Sequence, residues 1–179
     1  MLKKLNLSYK GTIFAYMWFL FTVYYFYLTF HAQGIKFVTL QFAGIDFATL
    51  INELFVAIMF LMIYLLFSMI PSRRGMLIPN AFLMFSVGQS FFYVILAIMH
   101  FNIVSLLISI VYAFSFMGLM YAYNLICFNV IDHVDGQGSY MYRWTAAMRV
   151  SFMKYWGYVV GFILLHALLT SMIMTSAHK

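Results

Sequence analysis

The chain has 179 residues, of which 66% are hydrophobic and 8% charged, and its formal net charge is +6. Soluble domains run at about 45–50% apolar and roughly 25% charged, and a globule of this length has too little interior to hide the excess. A water-soluble domain is therefore excluded. The positive charge does not mark a nucleic-acid binder, because Lys and Arg sit in short segments beside apolar runs, with no basic stripe interleaved with exposed aromatics.

The first element follows Lys3, Lys4 and Lys10. The run Thr12–Phe30 is too long and too aromatic for a signal-peptide core, and no small-x-small cleavage site follows it at Phe30-His31-Ala32. It reads as a retained first span. Crossing a hydrocarbon core of roughly 30 Å takes about 20 apolar residues, and four further stretches meet that length, at about 50–70, 81–99, 103–128 and 150–175. They are apolar on every face, which excludes the alternating pattern of barrel strands, and lipid demands that the backbone bonds internally. The expected fold class is all-α, a polytopic helical bundle of five spans forming a single transmembrane domain over residues 1–179.

The connections differ in character. Residues 71–80 make a tight basic loop, and His100-Phe101-Asn102 is barely a turn, so spans three and four form an antiparallel hairpin. Segment 31–49, with Phe37, Leu40, Phe42, Ile45 and Phe47, is too apolar for a free loop and too short to span. It is expected to lie on or re-enter the outer surface, or to extend span two as a helix. Tyr140–Arg149 puts Tyr140, Trp144 and Ala147 on one face, as an interfacial lead-in to span five.

Counting basic residues by side puts Lys3, Lys4, Lys10, Arg73, Arg74, Arg143, Arg149 and Lys154 together, against Lys36 and Lys179. The positive-inside bias then predicts a cytoplasmic N-terminus and an external C-terminus. Compact loops and this bias suggest a bacterial inner membrane.

Ionisable groups at membrane depth are functional candidates. His31, His100 and His166 all fall toward the outer side, and histidines are ligands for haem b or a transition metal. The plainer reading is that His31 and His100 are interfacial and His166 bonds a neighbouring helix. Asp46 and Glu53 are seven residues apart, on one face if span two begins early, as a cation or proton uptake site or as plain capping residues. Ser86, Gln89 and Ser90 form a polar stripe on span three, for helix bonding or a translocation path, and Ser105 and Ser109 invite the same judgement in span four. Gly157 and Gly161 are a small-xxx-small pair that lets another helix approach, and Lys154 just before them can snorkel. The loop Asp132-His133-Val134-Asp135-Gly136 reads as a solvated turn and lacks the residues a phosphate-bound cation site needs. Cys127 is alone, so neither a disulfide within the chain nor a cysteine metal motif exists.

No nucleotide-binding loop and no nucleophile–base spacing is present. The leading expectation is a non-enzymatic subunit of a larger membrane assembly for secretion, transfer or transport, with the bilayer and other membrane subunits as partners. A redox subunit holding haem b or a metal through His31, His100 and His166 is the alternative. A small ion or solute carrier using Asp46, Glu53, Gln89 and Lys154 ranks third, since no inverted repeat supports it.

Overall fold

A computed structural model of the chain describes residues 9–35, 37–134 and 137–178. Lys3, Lys4, Lys36, Asp135, Gly136 and Lys179, used in the charge and loop readings above, lie outside them. Among the described residues, five helices are long and apolar enough to cross a membrane. They are α1 (Tyr9–Ala32), α2 (Phe47–Phe67), α3 (Leu77–Met99), α4 (Ile103–Asp132) and α5 (Tyr140–Met172). A strand β1 (Phe37–Phe42) follows α1, and a strand β2 (Ile173–His178) follows α5.

Polar caps set the helix starts. Asp46 precedes α2 and accepts the Ala48 N–H at 3.2 Å, which starts that helix three residues earlier than the apolar run alone suggests. Asn102 accepts the Ser105 N–H at 3.0 Å and opens α4, while Phe101, at φ 52°, makes the reversal between α3 and α4. Pro79 falls in the first turn of α3, where its missing N–H has no intrahelical partner to lose.

Helices α4 and α5 are longer than a membrane crossing needs. At 30 and 33 residues they are about 45 and 50 Å long, against roughly 30 Å of hydrocarbon. The Tyr140–Arg149 stretch is thus the first part of α5 itself. Its inner face meets protein rather than headgroups: Trp144 Nε1 donates to Ser68 Oγ at 3.1 Å, Tyr140 donates to the Met69 carbonyl, and Ala147 is buried. At this end of the bundle Arg73 pairs with Asp132 on α4, an exposed contact worth little in stability.

The helices are packed unevenly. Helix α1 leans mainly on α3, α3 on α4, α4 on α5, and α5 on α2, while α2 barely touches α3. Two glycines permit the closest crossings. A Cβ on Gly88 would stand 2.5 Å from Thr22 Cγ2, and one on Gly118 would stand 2.4 Å from the Phe162 ring. Gly157 and Gly161, the pair legible in the sequence, face outward with nothing within 4 Å. Among the described residues, no helix packs on them.

Segment 31–49 is a strand in its central part, and only residues 47–49 extend span two as helix. That strand, β1, is paired antiparallel with β2 from Phe37↔His178 to Phe42↔Ile173, so span five ends at Met172 and the chain continues as a strand. Val38 and Leu40 point inward against Ile108, Tyr93 and Leu96. Ser105 Oγ accepts the Leu40 N–H at 3.0 Å and donates to the Leu40 carbonyl at 3.2 Å, satisfying a strand edge that would otherwise be unpaired. This ribbon ties the α1–α2 connection, the start of α4 and the end of α5 together.

Candidate functional site

Because α2 stays apart from α3, a cleft of about 230 Å³ remains between them, floored by α4 and reached by α5. Its polar side chains are Glu53 from α2, Ser86 and Gln89 from α3, Tyr112 and Tyr123 from α4, and His166 from α5. Phe60, Leu83, Phe116 and Leu119 make the apolar wall. Glu53 lies six residues after the start of α2 and His166 six before the end of α5, so each is about 9 Å inside its helix end. The two groups share a depth.

Glu53 Oε2 stands 3.8 Å from His166 Nε2, with 23% of the Glu53 side chain exposed and 4% of His166. On its other side the imidazole is fixed. Nδ1 lies 2.9 Å from Ser115 Oγ, and that hydroxyl directs its one hydrogen to the Tyr112 carbonyl at 2.7 Å. The serine oxygen is then an acceptor, which assigns the ring proton to Nδ1. Nε2 therefore presents a lone pair toward Glu53. The rings of Phe116 (4.3 Å) and Tyr112 (6.1 Å) flank the imidazole.

Hydrogen bonds close the deep end of the cleft. Tyr123 donates its hydroxyl to the Ala57 carbonyl at 2.7 Å, crossing from α4 to α2. Beneath it Tyr64 donates to Asn80 Oδ1 at 2.7 Å, and Asn124 Nδ2 donates to the same oxygen at 2.6 Å. Asn80 Nδ2 returns a bond to Asn124 Oδ1 at 3.1 Å. This clasp joins α2, α3 and α4 below the cleft. Gln89 Nε2 donates one of its two amide hydrogens to the Tyr93 hydroxyl at 2.8 Å, which leaves the amide oxygen and the second N–H of Gln89 uncommitted.

The remaining candidates sit elsewhere. His31 is exposed on α1, stacked on Tyr27 at 6.1 Å, and His100 ends α3 beside the Phe37 ring at 4.9 Å. Only His166 of the three enters the cleft, and among the described residues no three His, Cys, Asp or Glu side chains gather to hold a metal. Ser90 is buried and bonds back to the Ser86 carbonyl at 2.9 Å, and Ser109 does the same to Ser105 at 2.6 Å. Asp46 is the exposed cap of α2, where the Thr49 hydroxyl and then the Ala48 N–H hold its carboxyl below the ordinary carboxylate range. Lys154 is exposed on α5 over Tyr155, twelve residues and about 18 Å along the helix from His166. Of the proposed polar path, Glu53 and Gln89 come together, and Asp46 and Lys154 do not join them.

Sequence reasoning missed Ser115, Tyr112 and Phe116, whose signal was only their spacing on one face of α4. Ser115, His166 and Glu53 stand in file like a nucleophile, base and acid. The resemblance stops there, because Ser115 is 3% exposed and does not line the cleft, so a substrate has no access to its oxygen.

No protein-family model, curated protein or solved structure matches the chain.

Proposed function

We propose that this multi-pass membrane protein binds a small solute in the cleft between α2 and α3 and belongs to the solute- or ion-carrier class. One observation carries the reading: Glu53, Gln89 and His166, from three different helices, line one cavity. Desolvating a carboxylate and an imidazole at membrane depth is expensive, and such groups mark substrate or ion pathways. A thermal-shift screen of the purified protein against small cations, anions and neutral solutes tests it. One class raises the melting temperature, and Glu53→Gln combined with Gln89→Leu removes that rise. If no class has an effect, or the double variant responds like wild type, the carrier reading fails.

A second reading, a subunit of a larger membrane assembly, draws support from Gly157 and Gly161. Their outward face has open space for a closely packed helix from another membrane protein. Purification of a stable monomer, without partners, from native membranes counts against it. A haem b or metal subunit through His31, His100 and His166 has no gathered ligand set in its favour.

The orientation we propose rests on charge. Arg73, Arg74, Arg143 and Arg149 lie at the end of the bundle away from the β-ribbon, which we assign to the cytoplasm of a bacterial inner membrane. The C-terminus is then external.

A further inference from the structure

The chemistry of the cleft narrows what it takes. Its lining holds one carboxylate and no Lys or Arg, so an anion finds no countercharge there. Three groups present acceptors: the Glu53 carboxylate, His166 Nε2, and the Gln89 amide oxygen, whose nitrogen gives one of its two hydrogens to Tyr93. A ligand that complements them must donate hydrogen bonds. Phe60, Tyr112 and Phe116 add aromatic faces, which attract cations. The volume, about 230 Å³, is several times the roughly 30 Å³ of a water in the liquid, so there is room for an organic body behind the charged head.

The Glu53–His166 separation fits the same ligand. Two acceptors 3.8 Å apart both lie within reach of charge-assisted bonds of about 2.8 Å from a single nitrogen. With the cleft empty, two unprotonated acceptors facing each other repel, and one proton on the pair relieves this. The other titratable groups that line the cleft are Tyr112 and Tyr123 from α4; the polar lining from α3 is Ser86 and Gln89, with Tyr93 behind Gln89. No other charged side chain lines the cleft.

We propose that the cleft binds a small organic ammonium ion bearing at least one N–H, held between Glu53 and His166, and that this cation displaces the proton the pair otherwise shares. The inference rests on the binding reading above and adds ligand class and proton coupling. The balance is simple: the ammonium ion enters with its protons, and one proton leaves the pair for solvent.

Calorimetry on the full chain in lipid nanodiscs tests the proposal with benzylammonium, the neutral benzyl alcohol and the anionic benzoate. Benzylammonium is expected to bind, to release about one proton as judged in buffers of different ionisation enthalpy, and to bind more weakly as pH falls. Glu53→Gln is expected to weaken it at least about tenfold. The proton release and the pH dependence are read on the wild-type chain, so they stand even if that variant fails to fold. Equal binding of benzyl alcohol, an unaltered affinity in a folded Glu53→Gln, or binding without proton release overturns the proposal. Benzoate bound in a Glu53-dependent way overturns it too, but leaves the solute-binding reading standing. No binding of any of the three, together with a flat thermal-shift screen, removes both.

Discussion

Glu53 Oε2 faces His166 Nε2 across 3.8 Å, beyond hydrogen-bond reach and within strong electrostatic range, inside a cleft that four helices build. A packing arrangement made only for stability would close that gap or keep charge out of it. The relationship depends on Ser115, which fixes the imidazole from behind.

Replacing Ser115 by Ala removes the acceptor of Nδ1–H. The ring then samples both tautomers, and the chain loses about 1 kcal/mol of stability, the usual worth of one hydrogen bond. Nitrogen NMR of labelled His166 checks this: wild type shows the proton on Nδ1, and the variant shows a mixture. A wild-type ring protonated on Nε2 would remove the acceptor role assigned to it.

The glycines separate two kinds of helix contact. Gly88→Ala drives a Cβ to 2.5 Å from Thr22, whose own Cβ, 2.8 Å away, cannot swing clear. Helices α1 and α3 must separate, at a loss of about 1–3 kcal/mol. Gly157→Ala meets open space and leaves the stability of the isolated chain undiminished. Thermal unfolding in detergent distinguishes them, and equal losses would contradict the helix packing described.

The clasp below the cleft is a second test of packing. A double-mutant cycle on Asn80→Ala and Asn124→Ala is expected to return a coupling of about 0.6 kcal/mol, the average for interhelical bonds in lipid, and no more than about 1.7. Zero coupling would mean that the reciprocal amide pair does not form.

Asp46 predicts a pH response outside the membrane. Its folded-state carboxyl lies below the ordinary range because of Thr49 and Ala48, so its stabilisation is fully present above that range. It is lost as pH falls through the lowered value. Asp46→Asn should flatten this part of the stability–pH curve, measured by thermal unfolding on acidification. An identical curve would show that the cap contributes nothing through its charge.

Five spans were legible because lipid imposes length and continuous apolarity on each of them separately. The span limits were less so, since Asp46 and Ser139 move the starts of α2 and α5 through local caps rather than through hydropathy. The ribbon was not legible, because Val38 and Leu40 pair with residues at the far end of the chain. Glu53, Gln89 and His166 stood out as costly residues, but nothing in their spacing says that α2 and α3 part to bring them together. Ser115 was hidden for another reason: a serine that bonds its own helix looks the same in sequence as one that orients a histidine.

The most direct test of the central claim, that the cleft is an open binding site, is thiol labelling at Ser86→Cys in a Cys127→Ala background. Ser86 lines the cleft, and Cys127, the only native thiol, is buried in the core. In the folded, reconstituted protein the account predicts that a small methanethiosulfonate reacts at position 86 and that benzylammonium slows the reaction. A thiol that stays unreactive until the protein unfolds would contradict it, and the cleft would then be a closed packing defect.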